Sequence, residues 1–522
     1  DIARIDRGSA SYSVTSTQNG KQAAAIAIYQ LPGSNSLNVA KNVKAKMQDL
    51  EKYLPEGVHY EVVLDTTEFV TASIDEVLVT FVETTLLVML VILLFLQSFR
   101  AVIIPSLTIP VSLICTFAVM HLFGFSINTL TLFGLVLAIA IVVDDAIVVV
   151  ENSSRLLDTG KYTNKEAVIQ AMEEITGPVI GVVLVLLAVF IPTAFISGIT
   201  GELYKQFALT IATATVFSGI NSLSLTPALC ALFLKPTKDP KFFLYKGFNK
   251  VYDKTLGAYV KAITYFLRKP VITMSLFLIL SVGALWLFLR WPTSFIPQED
   301  QGYFVVSVQL PNAANLQRTE EVSRKIMKML DSYPEVRTYL CINGFSMMQG
   351  ANASNGATFF VMLKNWDERK AKDESVFSVV NRLNAQAASI QEAVIFAVNP
   401  PAISGMGVSG GLQFELEDRN SLGTTALQDA VSALLEQAGT EPAIMTLNSM
   451  FQGNTPQYFL NIDRDKVKMQ GLVLSDVFST LSYYMGSAYV NDFVQFGRIY
   501  QVKLGAAADS RTVIGDVLKL SV

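Results

Sequence analysis

The sequence predicts a membrane α-helical bundle combined with α+β structure outside the membrane. Three observations carry this prediction. The chain is 51% hydrophobic and only 16% charged, it contains six apolar runs long enough to cross a bilayer, and its polar parts repeat a strand–helix pattern. At 522 residues it is too long for one compact domain. It begins at Asp1 with neither an initiator Met nor a signal-peptide pattern, so we expect it to be part of a longer protein.

The apolar runs lie in one block and set the predicted topology. A helix needs about 20 apolar residues to cross the hydrocarbon core. Such runs lie near 77–97, 101–122, 128–150, 177–198, 206–233 and 271–289. Basic residues cluster in alternate connections, at Arg100, within 155–165 and between 235 and 269. Lysine and arginine mark the cytoplasmic side, and the number of spans is even. Both polar parts are therefore expected on the same, non-cytoplasmic side.

The two polar parts contain an internal repeat. QLPGSNSLNVAKNVKAKMQDLEKYLPEGV, from Gln30, aligns with QLPNAANLQRTEEVSRKIMKMLDSYPEV, from Gln309, and Pro55 coincides with Pro334 without a gap. Each copy has the pattern of a strand, a turn, an amphipathic helix and a second strand. The second copy starts with a strand at 303–310 and continues with strands at 337–342, 357–363 and 393–398 and a helix from about 376. This order is that of a split βαβ, ferredoxin-like subdomain.

Two further segments have their own patterns. KFFLYKGFNKVYDKTLGAYVKAITYFLRK, which precedes the last apolar run, alternates lysines with aromatic residues at helical spacing. This pattern favours a helix lying in the membrane interface over an ordinary connector. After residue 404 the sequence predicts strands in LQFELED (412–418) and TPQYFLNIDRD (455–465), then a helix and the segment GSAYVNDF.

Two adjacent carboxylates, Asp144 and Asp145, lie inside the third apolar run, in AIVVDDAIVVV. Each ionised carboxylate in hydrocarbon costs about 2.5–3.5 kcal/mol even on lenient scales. Adjacent helix residues point about 100° apart, so both side chains can face a bundle interior and meet different partners. Two close carboxylates in a low dielectric titrate as a coupled pair, which makes them candidate proton carriers. The alternative is a helix-packing or helix-end pair.

The carboxylates need a neutralising partner that the apolar runs do not supply. None of the six runs contains an internal Lys or Arg, and the polar groups available are hydroxyls and amides such as those of Thr210, Thr213 and Asn221. Two explanations stay open. Either the pair is protonated, or a cation lies on a helix outside this chain.

Cysteine, histidine and charge content give no support for metal or nucleic-acid binding. Cys115, Cys230 and Cys341 are far apart and form no CxxC motif, so we expect neither a disulfide nor a metal site. The two histidines, His59 and His121, leave little imidazole chemistry, and a net charge of −4 gives no indication of nucleic acid.

A glycine motif in SGMGVSGG does not indicate a nucleotide site. Gly405, Gly407 and Gly410 have GxGxxG spacing, but they follow NPPAI and precede a strand pattern. A dinucleotide site needs a strand before the motif and a helix after it. A hinge is the favoured interpretation, and no Walker-type lysine loop occurs in the sequence.

Four stretches together resemble the resistance-nodulation-division drug efflux pumps of the hydrophobe/amphiphile branch. They are GFSINTLTLFGLVLAIAIVVDDAIVVVEN, DTTEFV, TPALCALFLKP and FIPQEDQGYFVVSVQLP. The resemblance implies a second half that repeats the first, and a homotrimer in the inner membrane of Gram-negative bacteria. It also implies a periplasmic adaptor protein, an outer-membrane channel, and no cofactor beyond the proton gradient. Asp144 and Asp145 match the family's proton relay, whose Lys partner lies in the second half.

The same resemblance implies a division of the chain. The expected parts are a periplasmic porter fragment (1–67), transmembrane helices (68–291) with a cytoplasmic amphipathic helix near 240–268, a ferredoxin-like periplasmic porter subdomain (292–403), part of a second porter subdomain (404–448) and part of a docking region (449–522).

A drug pocket is also implied by the resemblance. Its expected lining is Tyr12, Val14, Leu64, Ile342, Phe345, Met347, Phe360 and Phe396, with a switch loop GFSMMQGANASNGA that carries Gly344, Gly350 and Gly356. Leu64, Met347 and Val398 stand where relatives usually have aromatic residues, so the resemblance does not imply the same substrate range. A Met-, Phe- and Gly-rich exposed loop is typical of adaptable apolar surfaces. The alternative for each apolar residue is ordinary core.

The resemblance thus implies a secondary active transporter, not an enzyme, which exports amphiphilic drugs by drug/proton antiport. One alternative is a relative that exports metal ions or lipids, although metal export requires clustered Met or carboxylate ligands that the sequence does not show. Another is a non-transporting member of the same superfamily.

Overall fold

A computed structural model describes residues 3–9, 11–125, 128–236, 243–291, 298–401, 414–442, 444, 447–449, 451, 453 and 457–522. The chain divides into two compact units. The first comprises Asp1–Tyr29, Glu61–Leu64 and Ile296–Val522, and the second comprises Gln30–Tyr60 and Asp65–Phe295.

The second unit is helical throughout its regular structure. Its helices are α1 (Ser36–Glu51), α2 (Thr67–Leu96), α3 (Phe99–Leu122), α4 (Thr129–Asp158), α5 (Asn164–Thr193), α6 (Gly198–Leu223), α7 (Leu225–Phe233), α8 (Phe243–Arg268) and α9 (Pro270–Arg290). In the described part of the chain, six helical segments are long and apolar enough to cross a membrane, as the sequence predicts.

The observed helices do not end where the predicted apolar runs end, because several helices continue for one or more polar turns. α4 extends to Asp158, and α5 begins at Asn164, where Thr163 and Glu166 form a capping box. The fourth run was predicted to end at 198, but α5 ends at Thr193. Residues 194–197 separate it from α6, whose first residue, Gly198, has φ +86°. That left-handed conformation favours glycine and allows the chain to reverse.

The first unit contains one antiparallel sheet, whose strands do not follow the order of the chain, and a separate hairpin. Its strands are β1 (Thr15–Gln18), β2 (Lys21–Gln22), β3 (Tyr303–Gln309), β4 (Val336–Ser346), β5 (Ala351–Leu363), β6 (Val394–Val398), β7 (Ala488–Gln495) and β8 (Arg498–Leu504). Its helices are α10 (Leu316–Leu330), α11 (Val376–Ala387), α12 (Thr424–Ala438), α13 (Arg464–Met469) and α14 (Leu474–Met485). The sheet order is β2-β1-β4-β5-β3-β6, and β7 pairs with β8. The predicted strand–helix–strand–strand–helix–strand order over 303–398 is confirmed.

One face of the large sheet forms the core with α10 and α11. Alternate strand residues such as Phe304, Cys341 and Phe359 are fully buried there and pack with Ile326 of α10 and Leu383 of α11. Because strand side chains alternate between faces, the residues between them point to the opposite face. That second face carries the candidate site.

Several predicted strands are absent from the described residues. The helix of the first repeat, α1, is present. The strands expected on either side of it, at 23–30 and 58–64, do not form, because no neighbouring strand among the described residues pairs with them through backbone hydrogen bonds. The described parts of the later predictions, 414–418 and 457–463, are also not strands. In the latter, Phe459 is 91% exposed and Asp463 caps α13, so the segment leads into a helix.

Candidate functional site

Asp144 and Asp145 lie on different faces of α4. Asp145 is 6% exposed and lies on the buried face with Ala138, Val142 and Val149. Asp144 is exposed among the described residues, on the stripe that carries Phe133, Leu137 and Val148. The angle of about 100° between adjacent helix residues accounts for this separation. The two acids therefore have unlike surroundings.

Small residues bring α6 close to the buried face of α4. A Cβ on Gly134 would lie 3.2 Å from Phe207 O and 3.3 Å from Thr210 Cβ, so the glycine is needed at this crossing. Thr210, Ala214 and Ser218 follow at four-residue spacing on α6 and are all buried. Small side chains at this spacing let two membrane helices approach closely.

Ser218 is the polar partner of Asp145. Its hydroxyl donates to Asp145 Oδ2 at 2.6 Å and lies 3.2 Å from Val142 O of the preceding turn of α4. A hydroxyl carries one hydrogen, so the carboxylate and the carbonyl share one donor. Among the described residues, neither Asp144 nor Asp145 forms an ion pair.

The polar residues that the sequence suggested as partners bond elsewhere. Thr210 donates to Gln206 O at 2.7 Å, and Asn221 donates to Ser112 Oγ at 2.7 Å. Thr213 is half-buried, and no hydrogen bond of its side chain to the acids is present in the described part of α4 and α6. Sequence reasoning missed Ser218. The signal that could have identified it is the four-residue spacing of Gln206, Thr210, Ala214, Ser218 and Ser222 in the fifth apolar run.

In the first unit, the sheet brings Ile342, Phe360 and Phe396 to one face, which is called the open face here because α10 and α11 cover the other. Ile342 pairs with Thr358, Thr358 with Ser307, and Ser307 with Phe396, which makes one row across β4, β5, β3 and β6. The neighbouring row is Leu340, Phe360, Val305 and Val398. With strands about 4.8 Å apart, Ile342 and Phe396 stand about 14 Å from each other. Ile342, Phe360 and Phe396 are half-buried and lie outside the helix-covered core.

The small side chains of Thr358 and Ser307, both buried, lie between the larger apolar side chains of this face. Thr358 Oγ1 donates to Phe345 O at 3.0 Å and accepts from Met347 N at 3.1 Å. The Thr358 hydroxyl therefore connects the end of β4 to the middle of β5. Phe345 and Met347, both half-buried, are thereby held beside the row that contains Ile342.

The three predicted switch-loop glycines have different surroundings. Gly344 lies in β4 with φ +82°, and a Cβ there would lie 2.0 Å from Ser13 O. Gly356 lies in β5, where a Cβ would be 3.2 Å from Ser346 Cβ. Gly350 has φ +63° with open space around it. The expected exposed loop is therefore shorter than predicted, since only 347–350 connects the two strands.

The remaining predicted lining residues are not brought into this row. Tyr12 is 72% exposed, and its hydroxyl accepts a hydrogen bond from Ser9 N at 3.0 Å. Val14 directly precedes β1, which pairs with β4. Leu64 follows Glu61, which accepts a hydrogen bond from Gln18 of β1. Val14 thus lies at the start of β1, and Leu64 lies in the segment whose Glu61 contacts β1.

Two further expectations concern ligands. Within the described ranges, no group of three or more His, Cys, Asp or Glu side chains is placed to hold a metal ion. Gly405, Gly407 and Gly410 lie outside the described residues.

The fold is that of a protein with six helical segments long and apolar enough to span a membrane, one of which carries a buried carboxylate. The chain belongs to the AcrB/AcrD/AcrF family, whose sequence model matches residues 1–522. This confirms the resemblance to resistance-nodulation-division efflux pumps.

Three curated relatives illustrate the similarity. The multidrug export protein AcrF of Escherichia coli (strain K12) is 39% identical over 529 residues, covering 100% of this chain and 51% of AcrF. The toluene efflux pump membrane transporter TtgB of Pseudomonas putida is 38% identical over 526 residues, covering 99% of this chain and 50% of TtgB. The multidrug resistance protein MdtF of Escherichia coli O157:H7 is 39% identical over 517 residues, covering 98% and 50%. The chain spans about half the length of the curated relatives it matches.

Proposed function

We propose that this chain is part of a proton-driven exporter of amphiphilic drugs and toxic compounds, a secondary active transporter of the bacterial inner membrane. The observation that carries the proposal is a carboxylate, Asp145, buried inside a helix apolar enough to span the membrane. A charged group at such depth is costly to maintain, and it marks an ion or proton path. The functions for which these relatives are named, multidrug export and toluene efflux, support the same class of activity.

The unequal surroundings of the two acids suggest how a proton is exchanged. Ser218 supplies one hydrogen bond to Asp145, while Asp144 lies on the uncovered stripe of α4. We propose that a helix outside this chain packs against that stripe. A cation on such a helix would stabilise the ionised pair, and protonation of the pair would release the cation. Binding and release of a proton would thereby change how the helices pack.

For substrates, we propose that the open face of the β4-β5-β3-β6 sheet contributes to the drug pocket of a ferredoxin-like periplasmic porter subdomain. The sheet order supports the ferredoxin-like assignment. Ile342, Phe360 and Phe396 supply apolar contact area, and the small buried side chains of Thr358 and Ser307 lie between them. A surface of this kind discriminates little between amphiphiles because most of its contacts are non-directional.

We extend the proposal to the assembly that the resemblance implies. The chain would form part of a homotrimer with a periplasmic adaptor protein and an outer-membrane channel, and it would use the proton gradient with no other cofactor. The divisions at 1–67, 68–291, 292–403, 404–448 and 449–522 are part of this proposal.

Replacement of each acid in the full-length protein tests the proton role. Asp145→Asn and Asp144→Asn keep the shape of the side chain but cannot exchange a proton. Both variants should reach the membrane in normal amounts and fail to lower intracellular dye under a proton gradient. Glu151→Gln is the matched control, because Glu151 is an exposed acid farther along the same helix. Efflux by both Asn variants near the wild-type rate, at equal membrane abundance, would refute the proposal.

A further inference from the structure

Helix α8 carries a cationic stripe that the proposed transport mechanism does not use. At 100° per residue, its basic side chains fall within an arc of about 80° on one face. They are Lys246, Lys250, Lys254, Lys261 and Arg268. All five are exposed, and among the described residues none forms an ion pair. Asp253, the one acid in α8, lies beside the stripe. The stripe is strongly basic although the chain as a whole has a net charge of −4.

The opposite face of α8 is aromatic and rests on the end of α2. Phe95 of α2 makes edge-to-face contacts with Phe248 at 5.2 Å and Tyr252 at 6.2 Å between ring centroids. Gln97, which follows α2, donates to Asn249 Oδ1 at 2.5 Å. Tyr259 and Phe266 continue the aromatic face along the helix. The lysine side chains of α8 therefore point away from the end of α2 that α8 contacts.

Both ends of α8 are fixed at the ends of membrane-spanning helices. Its first turns contact α2 where that span ends, at Leu96, and its last residue is followed after Lys269 by α9, another span, which begins at Pro270. Lys269 has non-helical angles, φ −126° and ψ 62°, so the chain turns there. The stretch from Asn249 to Arg268 is about 28 Å long. A helix held at both ends in this way is expected to run along the membrane surface, on the side that the basic connections mark as cytoplasmic.

We infer that α8 is a binding surface for the head groups of anionic phospholipids in the cytoplasmic leaflet. An aromatic face at the acyl boundary with a basic opposite face is the composition of interfacial helices. Flexible lysine stems let the ammonium groups reach phosphates on either side of the helix. The cytoplasmic leaflet has a negative surface potential, and Lys or Arg clusters on amphipathic helices are attracted to it. The inference requires the membrane-spanning topology but not proton coupling.

Spin-labelled lipids measure this preference in the full-length protein. The protein is reconstituted in phosphatidylcholine bilayers with a minor fraction of phosphatidylglycerol, and the motionally restricted fraction of each labelled lipid is compared. The quadruple variant K246Q/K250Q/K254Q/K261Q should lower the preference for phosphatidylglycerol by about fivefold or more. Arginine at the same four positions should retain it. Salt should weaken the wild-type preference, because exposed charges are screened.

A matched control separates the stripe from cationic charge in general. Lys161→Gln with Lys165→Gln removes exposed lysines from another predicted cytoplasmic connection and should leave the preference unchanged. Equal preference in the wild type and the quadruple Gln variant would overturn the inference and leave an acidic protein as the ligand of the stripe. Displacement of the labelled lipid by inorganic phosphate at low millimolar concentration would overturn it in favour of free phosphate. Because transport is not measured, failure here is distinct from failure of the proton role.

Discussion

Ser218 and Asp145 are joined across the α4–α6 interface by a hydrogen bond of 2.6 Å. The bond crosses a helix contact so close that a side chain at Gly134 would meet the backbone of α6. A change in the charge of Asp145 therefore alters the strength of a contact that holds two spans together. Under the proposed proton role, exchange of a proton at Asp145 would change the packing of α4 against α6.

Ser218→Ala should impair transport because it removes the donor and leaves Asp145 without its polar partner. Hydrogen bonds to charged groups contribute about 1.5–3 kcal/mol, so proton-coupled efflux should fall by about tenfold or more. The measurement is the initial rate of dye efflux in cells that express the full-length protein at matched abundance.

Ser222→Ala provides the control for this change. Ser222 is buried one turn further along the same face of α6. It takes no part in the hydrogen bond between Ser218 and Asp145. Its removal tests helix packing alone and should leave the efflux rate close to that of the wild type. Equal losses in the two variants would show that Ser218 acts only in packing.

The helix bundle shows what the sequence determines and what it leaves open. AIVVDDAIVVV was enough to predict two acids inside a span, because polar residues in a long apolar run stand out. The sequence did not show that Asp145 would be the buried member, since the rotation of α4 is set by packing against α6. Ser218 was missed for the same reason. Its partner depends on a contact between residues 73 apart in sequence.

Phe359 and Phe360 are adjacent in sequence and lie on opposite faces of β5. Phe359 is fully buried in the helix-covered core, whereas Phe360 is half-buried on the open face. Phe359→Ala should destabilise the first unit by about 3–5 kcal/mol and lower the abundance of the protein in membranes. Phe360→Ala should preserve abundance and change efflux most for large apolar compounds. Quantitative immunoblots and resistance measurements against compounds of graded size give both readouts.

Two outcomes would contradict this assignment. If Phe360→Ala lowered abundance as much as Phe359→Ala does, Phe360 would be a core residue. If abundance were kept and resistance to every compound stayed unchanged, the open face would not contact substrate.

The sheet was better predicted from sequence in its second repeat than in its first. Strand alternation and helix periodicity in 303–398 are complete, and the strands pair with each other, so the local pattern is sufficient. Residues 23–30 have a similar apolar pattern but no paired strand among the described residues. A strand is defined by its neighbours, and these cannot be inferred from a single segment. The short strands β1 and β2 were not predicted either, since β1 depends on pairing with β4 across more than 300 residues.

Gly344→Ala should separate β1 from β4. Gly344 has φ +82°, and the added methyl group would lie 2.0 Å from Ser13 O, so the backbone just before β1 must move. Gly350→Ala is the control, because Gly350 also has a positive φ, +63°, but nothing within 4 Å. The left-handed conformation costs about 1–2 kcal/mol in both variants. The difference between them isolates the clash.

Hydrogen exchange at the β1–β4 pairing, Thr15 with Asn343, measures this difference in the full-length protein. Exchange there should rise strongly in the Gly344 variant and stay near the wild-type rate in the Gly350 variant. Similar exchange in the two variants would show that the close approach of Ser13 does not restrict this position.

Asp300 forms a network whose stability should depend on pH. Its carboxylate receives two hydrogen bonds from Arg369, at 2.6 and 2.7 Å, and further bonds from Gly302 N at 3.0 Å and Val376 N at 2.9 Å. Burial raises the pKa of Asp300, but the bonds from Arg369, Val376 and Gly302 outweigh it and leave the pKa below its ordinary value. The arrangement joins the start of β3 to the start of α11.

The sign of the pH effect follows from this lowered pKa. The ionised form is favoured in the folded state, so its contribution to stability is complete above the unfolded pKa of about 3.9 and is lost as the pH falls through the lower folded value. Hydrogen exchange of the Val376 amide, corrected for the intrinsic rate, should show constant protection from neutral pH down to about 4 and a decline below it. Asp300→Asn should cost about 3 kcal/mol at neutral pH, because it leaves the Arg369 guanidinium buried without its counter-ion.

Glu392→Gln is the matched control for Asp300→Asn. Its partner Lys325 and Glu392 itself are both about half exposed, so solvent screens their ion pair. This variant should leave the protection of Val376 and its pH dependence as in the wild type. In Asp300→Asn, protection of the Val376 amide should be low at neutral pH. It should not decline further below pH about 4, since the titrating group has been removed. A decline that persists in Asp300→Asn would assign the acid sensitivity to another carboxylate.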